Sequence, residues 1–112
     1  IELGANDGLR GLQLPALREN LKRMIELSRD AGAKVALIGI ELPVNYGEAY
    51  RSRLRKVYSD LAAEYDLPLL PFLLDGLADD LSNFQEDQVH PTVEAQPLIR
   101  DRVYAWLEPV LP

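Results

Sequence analysis

Between two stretches of helical periodicity lies Lys34-Val-Ala-Leu-Ile-Gly-Ile40, an apolar run without alternation. A strand with one wet face alternates apolar and polar residues, so a continuous run suits a strand buried on both faces, as in a parallel sheet covered by helices. The flanks agree with that reading. Upstream, Pro15 suits a first helical turn, Leu17, Leu21, Met24 and Ile25 recur at helical spacing, and Gly32 suits a C-terminal cap. Downstream, Glu48 to Tyr65 carries Leu54, Val57, Tyr58, Leu61, Ala62 and Tyr65 on one face, with Arg51, Arg53, Arg55 and Lys56 predicted to face solvent.

The remaining segments extend the same alternation. Ile1-Glu2-Leu3 before Gly4 reads as the end of a strand entering a loop, so the chain is expected to begin inside an element, as a fragment or processed product. Leu67 to Leu74, interrupted by Pro68 and Pro71, reads as a third strand at a sheet edge. A last helix is predicted from about Glu94, because Pro97 must lie in its first turn, with Leu98, Ile99, Val103, Trp106 and Leu107 turned inward. Strands and helices in strict alternation imply right-handed crossovers and a three-layer α/β/α fold with a parallel sheet, as one domain over residues 1–112. In such folds functional groups gather in loops leaving the carboxyl ends of strands. Three stretches are predicted as such loops: Gly4 to Gly11, Glu41 to Gly47, and Asp75 to Pro91.

Composition narrows the function. Twelve Lys and Arg against 18 Asp and Glu give a net charge of −6, which argues against a nucleic-acid backbone as partner. With 47% hydrophobic and 27% charged residues the chain has the make-up of a soluble globular protein. No apolar run approaches the length of about 20 residues that a transmembrane helix needs. There is no cysteine, hence no disulfide, thiolate metal site or cysteine nucleophile. No dinucleotide or P-loop motif occurs, and no cofactor is expected.

The sole histidine, His90, closes Asp87-Gln88-Val89-His90-Pro91. An Asp three residues before a His can place its carboxylate on Nδ1 and leave Nε2 free as a base, although an exposed loop His beside an unrelated acid has the same spacing. Asn6 and Asp7 directly follow the first strand, where an amide can donate into a pocket mouth, yet Gly, Asn and Asp also simply make turns. The four serines are Ser28, Ser52, Ser59 and Ser82; three lie in predicted helices, and Ser82 lacks the tight glycine turn of a nucleophile elbow. Asp75, Asp79, Asp80, Glu86, Asp87 and His90 match neither calcium nor zinc ligand spacing, so no metal is expected and a solvated acidic loop is the simpler reading. A hydrolase with a His-Asp pair needs a nucleophile, so if His90 and Asp87 are such a pair the chain carries half a site.

Gly4-Ala5-Asn6-Asp7 after a strand, Asn45-Tyr46-Gly47, Pro71-Phe72, and Asp87-Gln88-Val89-His90-Pro91 before the last helix together resemble the SGNH (GDSL) hydrolases, closest to the bacterial arylesterase, acyl-CoA thioesterase I and lysophospholipase group. The resemblance runs from Ile1 to Pro112. It implies the flavodoxin-like α/β/α fold of that family, with Asn6 donating to an oxyanion, His90 as general base and acid, and Asp87 orienting His90. It further implies that Gly8 to Gln13, including Leu9, forms a mobile loop flanking an acyl pocket that Leu42 and Pro43 help to line. The family's Gly-Asp-Ser nucleophile block and a second oxyanion-hole glycine would precede Ile1, so the N-terminal segment of the same protein becomes an expected partner. The family commonly has Asp-Gly-Ile-His where this chain has Asp87-Gln88-Val89-His90. The implied activity is hydrolysis of acyl esters, thioesters or lysophospholipids in the periplasm or outside the cell. The alternatives are a non-enzymatic α/β binding module, and a carbohydrate-ester deacetylase of the same fold.

Overall fold

The KVALIGI run becomes the centre of a parallel pairing in the computed structural model, which describes Ile1–Leu111; Pro112, where the resemblance ends, lies outside the described residues. Strand β1 (Leu37–Ile38) pairs parallel with β2 (Leu69–Leu70), Leu37 opposite Leu69 and Ile38 opposite Leu70. The Leu37 and Gly39 N–H groups donate to the Pro68 and Leu70 carbonyls at 2.9 and 2.8 Å. On the other edge, the Ile38 N–H donates to the Ile1 carbonyl at 2.9 Å, and the Ile1 nitrogen donates to the Ala36 carbonyl at 2.8 Å. That staggered pattern is the parallel ladder, so Ile1 runs beside β1 as its neighbour although only two short strands are regular. The predicted seven- and eight-residue strands are thus corrected to two residues each.

The chain divides into two compact units, Ile1–Phe72 and a second from Leu73 onward. In the first, helix α1 (Ala5–Leu9) is followed by α2 (Leu14–Asp30), and α3 (Glu48–Tyr65) comes between β1 and β2. Helix α2 buries Leu17, Leu21 and Ile25, while Met24, expected on the same face, stays 36% exposed. Its end is closed by Gly32 at φ 82°, where the Ala33 N–H reaches back to the Ser28 carbonyl at 2.9 Å. Helix α3 has the predicted limits; it packs Leu54, Val57, Tyr58 and Leu61 with Leu17, Leu21, Ile25 and Leu37 in one core cluster and also buries Ala62.

Two further expectations about this unit are overturned. Arg51 does not face water: only 17% of its side chain is exposed, it pairs with Glu41 at 3.0 Å, and its Nε donates to the Leu42 carbonyl at 2.9 Å. The stretch Gly4 to Gly11 is not all loop, because Ala5–Leu9 is helical. Propensity argues against a helix there, and tertiary packing overrides it. Gly8 has no Cβ, so the turn seats on the core; a Cβ would meet Leu54 Cδ2 at 3.0 Å and Leu42 Cδ2 at 3.2 Å.

In the second unit a short 3-10 turn at Leu81–Asn83 precedes α4 (Gln96–Leu107). The regular helix starts two residues after the expected Glu94. Pro97 has no N–H to offer the Val93 carbonyl, which instead takes the Gln96 N–H at 3.1 Å in a tighter turn. None of the α4 residues is buried, and Leu98, expected inward, is 54% exposed. Among its described residues the unit supplies only Leu77 and Ala95 as buried apolar residues, too few to cover the helix face.

Gly39, just after β1, lies tight against the chain after β2, and a Cβ there would run into the Pro71 carbonyl. Backbone cannot yield as a flexible side chain can. Gly39→Ala is therefore expected to lower unfolding free energy by about 2 kcal/mol, read as a fall in urea midpoint at constant m-value.

Candidate active site

The loop before α4 is pinned at its base. The Gln85 N–H donates to the His90 carbonyl and the Thr92 N–H to the Asn83 carbonyl, both at 2.8 Å, and Phe84 bridges Pro91 antiparallel. At its tip, Asp87 Oδ1 accepts the Val89 and His90 N–H groups at 2.9 and 3.0 Å. The second oxygen, Oδ2, lies 2.6 Å from His90 Nδ1. One carboxylate thus shapes the turn and holds the ring. The bond from the His90 ring, with the backbone N–H groups of His90 and Val89, holds the Asp87 carboxyl down at about 2. An ionised Asp87 makes Nδ1 the protonated nitrogen, leaving the Nε2 lone pair outward on a largely exposed ring. Such an arrangement can serve as a general base with an orienting acid.

In the first unit, Asn6 stands in the first turn of α1, exposed, with no hydrogen bond from its side-chain amide among the described residues. Gly4 precedes it at φ 117°, a conformation suited to glycine, and a Cβ on Gly4 would collide with the Tyr58 hydroxyl. That hydroxyl donates to the Leu3 carbonyl at 2.8 Å, and burial pushes its pKa up, so it stays a donor. At the other end of α1, the Tyr50 hydroxyl donates to the Gly8 carbonyl at 3.1 Å and the Tyr46 hydroxyl to the Leu9 carbonyl at 2.9 Å. Leu9 is half-buried, Leu42 is buried against Gly8, and Pro43 is exposed. The structure therefore joins Asp87 to His90 in one unit, and Gly8 to Leu42 in the other. Sequence reasoning missed all three tyrosine hydroxyls; for Tyr46 the only signal was its place in Asn45-Tyr46-Gly47.

The serines offer no nucleophile of the elbow type. Ser28, Ser52 and Ser59 lie within α2 and α3, and the Ser28 and Ser59 hydroxyls donate to Met24 and Lys56 carbonyls of their own helices. The Ser82 hydroxyl donates to Asp80 Oδ1 at 2.7 Å, in a 3-10 turn. Three acidic residues of this loop have separate partners, Asp75 on Arg102, Asp80 on Ser82 and Asp87 on His90. Among the described residues no three His, Asp or Glu side chains converge as metal ligands.

Residues 1–97 match the GDSL-like Lipase/Acylhydrolase family. The chain belongs to that family. It is 43% identical over 111 residues to the esterase TesA of Pseudomonas aeruginosa, covering 99% of this chain and 55% of that protein. It is 38% identical over 111 residues to the Escherichia coli protein named thioesterase 1/protease 1/lysophospholipase L1, covering 99% and 53%. A crystal structure of TesA superimposes with a TM-score of 0.91 at 42% identity, over 97% of this chain and 61% of that one. The fold is thus the α/β fold of these hydrolases, and the chain spans about half the length of the relatives it matches. In this member of the family, Gln88 adopts φ 57°, the left-handed region where glycine fits without strain. The position the resemblance marks with a glycine is one that needs a positive φ.

An unfolded Asp ionises near about 3.9, whereas folded Asp87 is held at about 2. A depressed pKa contributes stability that is full above the unfolded value and lost as pH falls through the folded one. The Asp87 turn is therefore expected to persist down to about pH 4 and to open around pH 2, followed through the Val89 and His90 amide signals by NMR. A midpoint near 4 would contradict the hydrogen bonding described.

Proposed function

We propose that the protein is a serine hydrolase cleaving acyl esters and thioesters, of the arylesterase, acyl-CoA thioesterase or lysophospholipase type, with its nucleophilic serine outside these 112 residues. The observation that carries this reading is the 2.6 Å contact between His90 Nδ1 and Asp87 Oδ2 in a chain of the GDSL-like family. The names of its relatives, esterase and thioesterase/lysophospholipase, support the substrate class. In this reading His90 Nε2 takes the serine proton as Oγ attacks the acyl carbonyl, then returns it to the leaving alcohol or thiol. Water hydrolyses the acyl-enzyme by the same proton route. Asp87 keeps Nδ1 protonated and steadies the imidazolium. The Asn6 amide donates to the oxyanion, a contribution of about 3 kcal/mol for one such donor.

Gly8, Leu9, Leu42 and Pro43 belong to the acyl-binding part of the same proposal, supported by the seating of Gly8 on Leu42. A periplasmic or secreted location is proposed from the family likeness; no described helix is long and apolar enough to cross a membrane.

In the protein carrying its serine, Asn6→Ala is expected to lower kcat about 10²- to 10³-fold with KM little changed, since the donor acts mainly in the transition state. His90→Ala should cost at least as much in p-nitrophenyl ester turnover, and near-normal kcat in both variants would refute the assigned roles. Residues 1–112 alone are expected to turn over such esters no faster than free imidazole. Robust activity abolished by Ser82→Ala would instead make Ser82 the nucleophile.

A further inference from the structure

Helix α1 has only five residues, too short to hold its own shape, yet it presents the Asn6 amide. What fixes it comes from elsewhere in the sequence. The Gly8 and Leu9 carbonyls at its C-terminal end are taken by the Tyr50 and Tyr46 hydroxyls, at 3.1 and 2.9 Å. The two rings stack on each other, centroids 6.4 Å apart and planes at 26°, so neither hydroxyl moves alone. Tyr46 belongs to the 3-10 turn Val44–Tyr46 and Tyr50 to the first turns of α3, which gives Leu54, Val57, Tyr58 and Leu61 to the core. A backbone bond from the Arg10 N–H to the Asn6 carbonyl at 3.0 Å carries the constraint from the clamped end of α1 back to Asn6.

We infer that Tyr46 and Tyr50 are positioning residues that set the Asn6 amide by clamping the carbonyls of α1. The inference rests on the oxyanion role proposed for Asn6. Neither tyrosine touches substrate in this scheme; both act through α1. Preorganised donors lose their catalytic value when their position is lost, so the consequence falls on kcat and not on substrate binding.

The test uses Tyr46→Phe and Tyr50→Phe in the full protein, alone and combined with Asn6→Ala, with urea unfolding run in parallel. Each Phe variant keeps the ring and removes only the donor. The expected result is a 3- to 10-fold fall in kcat per variant, KM unchanged, and no further fall when the same change is made on Asn6→Ala. The Asn6 side-chain amide signals should shift or broaden by NMR in both Phe variants. Unchanged kcat where Asn6→Ala is damaging would overturn the inference, as would losses that multiply on top of Asn6→Ala. Failure of a Phe variant to fold would also overturn it, since the hydroxyl would then serve the fold and not the amide. Should Asn6→Ala itself keep normal kcat, the oxyanion role falls, and the amide signals alone decide: unshifted signals end the positioning role and shifted ones retain it.

Discussion

The backbone of Leu37 to Gly39 is hydrogen-bonded along both edges, to Ile1 on one side and to Pro68 and Leu70 on the other. A segment so placed spends its N–H groups on its neighbours, and it is seated with Leu37 fully buried and Ile38 half-buried. Everything else in that unit is arranged around this line: α3 lies against β1 and β2, and α2 packs on α3. Gly39 sets the spacing, since the Pro71 carbonyl lies where any Cβ would be.

In each unit the short connections are held by specific hydrogen bonds. Helix α1 is held at its start by Tyr58 on the Leu3 carbonyl, and at its end by Tyr46 and Tyr50. The Glu41–Leu42 connection is held by Arg51, which bonds the Glu41 carboxylate and the Leu42 carbonyl together. In the second unit the Asp87 carboxylate fixes the turn that carries His90 as well as the ring itself. The two tasks are inseparable, because one oxygen serves the backbone and the other the imidazole. Side chains from helices or neighbouring turns thus supply the rigidity that five-residue helices and loops lack.

Much of this was legible in the sequence. The unbroken apolar run at Lys34–Ile40 announced a central strand, although Leu37 is buried and Ile38 on the opposite face only half-buried, and the limits of α3 followed from its spacing. The Asp87–His90 pair was legible because three residues around one turn is a local geometry. Where reading failed, a distant partner had decided. Ala5–Leu9 is helical because Gly8 seats on Leu42 and Leu54, residues more than thirty positions away. Arg51 turns inward because Glu41 and the Leu42 carbonyl wait there, which a helical wheel of α3 cannot show. Gln88 accepts a left-handed conformation, against its own preference, because the turn that brings Asp87 onto His90 requires it.

By itself the sequence determined the alternation of α2, β1, α3, β2 and α4, the family, and the spacing that pairs Asp87 with His90, because periodicity and local motifs are properties of neighbours along the chain. Only the tertiary structure decided how long the regular strands are, that Gly4 must be a glycine on account of Tyr58, and which hydroxyls hold the carbonyls of α1. Those are contacts between residues 37 to 55 positions apart. Hydrogen bonds and close packing act through space, and separation in sequence carries no trace of them until the chain is folded.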